Sequence, residues 1–92
     1  MLIEIVGNFY NNHSLSIVNR NLAISLAKLN KKLRIVPVDN YDPKYNLDKA
    51  TVKELKRLET QHASEIPDMQ IRHTYPPVWG WPNHKLTKVY IS

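Results

Sequence analysis

Apolar residues fall in short runs parted by polar loops, and the spacing alternates between two periods. Leu2-Ile3-Glu4-Ile5-Val6 is a strand-like run closed by Gly7-Asn8. A polar turn over 8–13 follows, and Ser14 or Ser16 offers an N-cap for a helix. Leu15, Val18, Leu22, Leu26 and Leu29 then recur at steps of three and four, which predicts a helix buried along that stripe and stopped by Asn30-Lys31-Lys32. A second strand runs through Leu33-Arg34-Ile35-Val36-Pro37-Val38, and Pro37 marks it as an edge strand or one distorted near its end. After the polar loop 40–46, Asp48 or Asn46 caps a second helix with Val52, Leu55 and Leu58 inward. Met69-Gln70-Ile71-Arg72 and Lys88-Val89-Tyr90-Ile91 read as two further strands.

The resulting β-α-β-α-β-β order predicts an α/β fold: a Rossmann-like parallel sheet of about four strands, in one domain over residues 1–92. An N-terminus this apolar belongs in the middle of the sheet. Ligands of open parallel sheets sit outside the carboxyl ends of the strands. Loops 8–13, 40–46 and 73–86 should therefore gather on one edge, and the short connections near 30–32 and 63–68 on the other. Parallel sheets usually have helices on both faces, and two helices cover four strands thinly. The chain reads as the first part of a larger doubly wound domain cut after its fourth strand, which would be left bare for self-association.

Composition narrows the class further. Cysteine is absent, which excludes disulfides, thiolate metal sites and thiol nucleophiles. No apolar run approaches the ~20 residues of a membrane span, and no secretory signal opens the chain, so a cytoplasmic protein is expected. Thirteen Lys+Arg against eight Asp+Glu give a net charge of +5. The cations are scattered over what read as solvated helix faces, so nucleic acid is a lesser expectation.

Several residues stand where chemistry could occur. Gly7, between the first strand and the first helix, is either a plain turn residue or a point of close ligand approach. Only Gly7 and Gly80 occur in the chain, so neither the G-x-G-x-x-G fingerprint nor a phosphate loop exists. His13 and His73 fall on the expected ligand edge and could serve as a base or bond a hydroxyl; either could equally be satisfied by backbone or water. The histidine spacing fits no metal site. Asn19 has a reason to sit mid-helix if it ties the helix to the first or third loop, whereas Arg20 reads as solvated. Asp39 reads as a turn former. Trp79 and Trp81, stiffened by Pro76, Pro77 and Pro82, suit a ligand or an interface. A rival class is a small basic nucleic-acid binder stacking bases on Trp79 and Trp81 beside Lys85 and Lys88, and a third is a non-catalytic interaction module.

Three segments taken together resemble one family: Ile5-Val6-Gly7-Asn8 leading into Ser14 through Ala23, the strand Arg34 to Asp39, and Arg72-His73-Thr74-Tyr75-Pro76-Pro77 with Trp79 and Trp81-Pro82. The chain is similar, over nearly its whole length, to the N-terminal part of GT-B glycosyltransferases of family 4. The resemblance implies a fragment that binds a glycan or lipid acceptor. A C-terminal domain, lacking here, would hold the nucleotide-diphosphate sugar, so this chain carries no cofactor and should not transfer sugar alone. It further implies that Gly7, Asn8, His13, Ser14, Asn19, Arg72 and Tyr75 border or support the acceptor cleft, with His73 as acceptor contact or base and no metal. The chain departs from the family in having a single glycine in the first turn.

Overall fold

A computed structural model describes residues 1–29, 32–77, 79–81 and 88–91. The expected helix stop at Asn30-Lys31, the loop positions Pro82 and Lys85, and the terminal Ser92 lie outside the described residues. The elements are β1 (Leu2–Gly7), α1 (Ser14–Lys28), β2 (Lys32–Pro37), α2 (Lys49–Thr60), β3 (Met69–His73) and β4 (Lys88–Ile91), with a 3-10 turn at Pro43–Tyr45. All four strands are parallel, in the order β2-β1-β3-β4. This is the α/β, Rossmann-like sheet that the alternating periods predict, with β1 inside and β2 at one edge. Asp48 caps α2, accepting from the Thr51 amide at 3.2 Å.

Strand pairing fixes which side chains share a face. Ile3 pairs with Leu33 and Met69, and Ile5 with Ile35 and Ile71. In parallel strands paired residues point the same way, so one face is apolar. Its Ile5, Leu33 and Ile35 form a single core with Phe9 and Tyr10, with Ala23 of α1 and with Leu55 and Leu58 of α2. Both described helices pack on this face.

The opposite face is mixed: Leu2, Val6, Val36, Val89 and Ile91 share it with a ladder of polar side chains. Glu4 pairs with Arg34 on one side and Gln70 on the other. Arg34 grips the Glu4 carboxylate through Nε and Nη2, both at 2.7 Å, and Gln70 Nε2 donates to the other carboxylate oxygen at 2.6 Å. Arg72 Nε donates to Gln70 Oε1 at 2.6 Å, so one ladder crosses β2, β1 and β3. Arg34 also donates to the carbonyls of His62 and Glu65, and Arg72 to that of Gly80, which draws two loops over the margins of this face.

The stripe expected to be the buried side of α1 is not its buried side. The residues against the sheet are Ser16, Asn19 and Ala23, while Val18, Leu22 and Leu29 are exposed. Val18, Leu22 and Leu29 are turned to the flank of α1, while Leu26 and Ala27 reach the core. Ser14 and Ser16 are not the cap either: the N-cap position is His13, and no side chain caps the helix.

Candidate functional site

The carboxyl ends of the strands gather the loops as the topology requires. Asp39, just past β2, accepts the amides of Phe9, Tyr10 and Asn11 at 2.8, 2.9 and 3.1 Å. One carboxylate thus folds the first loop back onto the second strand, a stronger role than the turn former expected. Arg20 completes the same clamp. Its guanidinium donates to the carbonyls of Phe9 and Asn11 at 2.9 and 2.6 Å, so it is no solvated bystander. Burial lowers the Arg20 pKa from its usual value, and the nearby Asp39 charge partly opposes that. Asn12 Nδ2 reaches the Tyr45 carbonyl at 3.0 Å and fastens the first loop to the second.

Asn11 shapes the entry to α1. Its side-chain oxygen accepts the His13 amide at 3.0 Å and the Ser16 hydroxyl at 2.6 Å. The first turn of α1 is left without a side-chain cap and without an acidic residue. Its amides and the positive end of the helix dipole remain available to an oxygen ligand.

A cavity of about 560 Å³ opens at this point, lined by Asn8, Asn11, His13, Ser14, Leu15, Ser16 and Tyr75. None of these is Asp, Glu, Lys or Arg; the walls offer amides, hydroxyls, an imidazole and an aromatic ring. Asn8 Oδ1 accepts the Tyr75 amide at 3.4 Å and joins the first loop to the third. The Tyr75–Pro76 peptide is cis, and the Tyr75 ring is 83% exposed.

Behind the cavity wall lies a buried junction. Asn19 is fully buried and bridges both loops: Nδ2 donates to the carbonyls of Asn8 and His73, each at 3.0 Å, and Oδ1 stands 2.7 Å from His73 Nδ1. Gly7 makes room for it. A Cβ on Gly7 would come within 2.5 Å of Asn19 Nδ2 and 2.7 Å of the His73 carbonyl oxygen. Gly7 has no positive φ, so no turn conformation demands glycine there; the close approach of the Asn19 carboxamide and the His73 carbonyl does.

Of the residues read from the sequence, Asn8, His13, Ser14 and Tyr75 come together as cavity lining. Gly7, Asn19 and His73 form the junction beneath them. Arg72 stands apart: strand alternation turns it to the ladder face while His73 faces α1, so the two adjacent residues do not share a wall. Asn11, Ser16 and Asp39 take part in shaping the site without having been read as part of it, although Asp39 directly after a strand that should end at the ligand edge was a usable signal. Trp79 and Trp81 are exposed at 75% and 95%. Among the described residues no cluster of His, Asp and Glu could hold a metal, and no helix is long and apolar enough to cross a membrane. Compared with protein-family models, curated proteins and solved structures, the chain matches none.

Proposed function

We propose that this chain is the acceptor-binding unit of a GT-B type glycosyltransferase and takes a neutral, polyhydroxylated ligand, a glycan or the sugar headgroup of a lipid, at the carboxyl edge of its sheet. The observation that carries the reading is the cavity: its walls are neutral amides and hydroxyls beside an uncapped helix start, with a tyrosine ring at the rim. Sugar hydroxyls are matched by such groups, and a sugar face by an aromatic ring. A nucleotide diphosphate would find the helix start but no cation to pair with, since the lining holds no Lys or Arg. The activated donor belongs to a companion domain, and the transfer step takes place between the two.

The test is an amide-resolved NMR titration of the 92-residue chain with neutral mono- and disaccharides, with a nucleotide sugar and with a single-stranded oligonucleotide. Saccharides should move the amides of Asn8, Asn11, Ser14 and Tyr75 together, and the nucleotide alone should not. Unmoved amides up to roughly 10 mM saccharide, the weak end of specific binding, overturn the reading. The exposed Trp79 and Trp81 favour a second reading as base-stacking platforms. Oligonucleotide binding that perturbs both indoles and weakens steeply with salt would put that reading first.

A further inference from the structure

The atoms around the Asn19 carboxamide leave its orientation no choice. Nδ2 faces the carbonyl oxygens of Asn8 and His73. Carbonyl oxygens only accept, so the donating end of the amide must point at them; the reverse setting would bring oxygen against two oxygens. Oδ1 is thereby aimed at His73 Nδ1, 2.7 Å away. An amide oxygen also only accepts, so the hydrogen between these atoms sits on Nδ1. In the neutral ring this leaves the lone pair on Nε2.

The second nitrogen is free to use it. Among the described residues every buried side-chain nitrogen and oxygen has a partner, whereas His73 Nε2 bonds to none of them. His73 ends β3 opposite Gly7 of β1, on the edge where the cavity opens. Asn8 is common to both features: its carbonyl accepts from Asn19, and the residue lines the cavity.

We propose that Asn19 is a positioning residue, which holds His73 in the Nδ1–H form and presents Nε2 as a fixed hydrogen-bond acceptor for a ligand hydroxyl at the carboxyl edge of the sheet, beside the cavity rather than in its lining. The hydroxyl rests on the function proposed above; the locked tautomer does not. Gly7, Asn19 and His73 are then one device: the glycine clears the space, the carboxamide sets the ring, and the ring meets the ligand.

The experiment is long-range proton–nitrogen NMR of the imidazoles in the whole chain, at a mildly alkaline pH where the rings are neutral. His73 should show a protonated Nδ1 and a bare Nε2. Asn19→Ala should move it to the mixture typical of a free histidine side chain, in which Nε2–H predominates. A wild-type His73 with its hydrogen on Nε2 overturns the proposal, as does a tautomer unchanged in Asn19→Ala. Should that variant fail to fold, the wild-type spectrum and Asn19→Ser decide the matter: the serine hydroxyl is too short to accept from His73 Nδ1, so the ring should shift toward Nε2–H, and an unshifted ring overturns the proposal. A saccharide titration followed at Nε2 separates the two readings. If the cavity amides move and Nε2 does not, the role given to His73 is overturned while the proposed function stands. If Nε2 moves with those amides, both are supported. If neither moves, the proposed function fails, and the tautomer result alone decides whether Asn19 positions the ring.

Discussion

The two faces of the sheet are built from the same three strands and by opposite means. One is an aliphatic core of Ile5, Leu33 and Ile35 under two helices. The other carries, between the aliphatic Leu2, Val6 and Val36, a ladder, Arg34–Glu4–Gln70–Arg72, in which each side chain finds its partner on the neighbouring strand or two residues along its own. The aliphatic face gains from removing surface from water, which is non-directional and tolerant of small shifts. The ladder gains little net energy, because desolvating the charges offsets their attraction; what it imposes is register and the position of two loops. Stability should therefore reside mainly in the first face, and geometry in the second.

Truncation in the core gives the largest expected effect. Ile5 is fully buried at the centre of the cluster, and Ile5→Ala should cost about 3 kcal/mol in urea unfolding, from lost transfer energy plus a residual cavity. A cost under about 1 kcal/mol would show a core that collapses freely, contrary to the packing described.

The ladder should respond differently to one change and to two. Glu4→Leu leaves the Arg34 guanidinium, whose side chain is only 12% exposed, with its two loop carbonyls and no counter-charge. We expect a loss of about 2 kcal/mol, below the range for fully buried pairs because some solvent reaches both groups. Joining it to Arg34→Leu should restore much of that loss but free the 62–65 loop to faster amide exchange. Additive losses in the double variant would mean that the ladder stabilises outright.

The smallest effect is confined to alkaline pH. Tyr10 lies in the aliphatic core and donates to Glu59 at 3.1 Å. Burial first, and then the Glu59 and Asp39 charges, push its phenol well above the ordinary tyrosine value. A raised folded-state pKa favours the neutral phenol, so its contribution is complete below pH ~10, where unfolded tyrosine titrates, and is lost as pH climbs beyond it. Tyr10→Phe should be less stable than wild type at neutral pH and close that gap with each step above pH 10. A gap independent of pH would remove Tyr10 as the titrating group.

How much could be read in advance differs between element types. Strands, order of elements, the interior place of β1 and the edge place of β2 all followed from short apolar runs and Pro37, because those signals are local. The buried side of α1 did not. Leu15, Val18, Leu22 and Leu26 share their spacing with Ser16, Asn19, Ala23 and Ala27, and periodicity cannot choose between two stripes rotated by one residue. The choice is made by contacts far along the chain: two carbonyls and an imidazole that require an amide, and a glycine that lets it approach. Arg20 and Asp39 were likewise illegible in their full roles, since each serves loop backbone brought near only by the finished sheet.

The fit at Gly7 ties together three segments: the end of β1, the middle of α1 and the end of β3. The space of the missing methyl group is filled from two sides, by the Asn19 carboxamide and by the His73 backbone carbonyl, so shortening the side chain at 19 removes one obstacle to a side chain at 7 and leaves the other, while the histidine loses its partner. Glycine at 7 is therefore held by the backbone of β3 as well as by the helix, and a substitution there has to move a strand end.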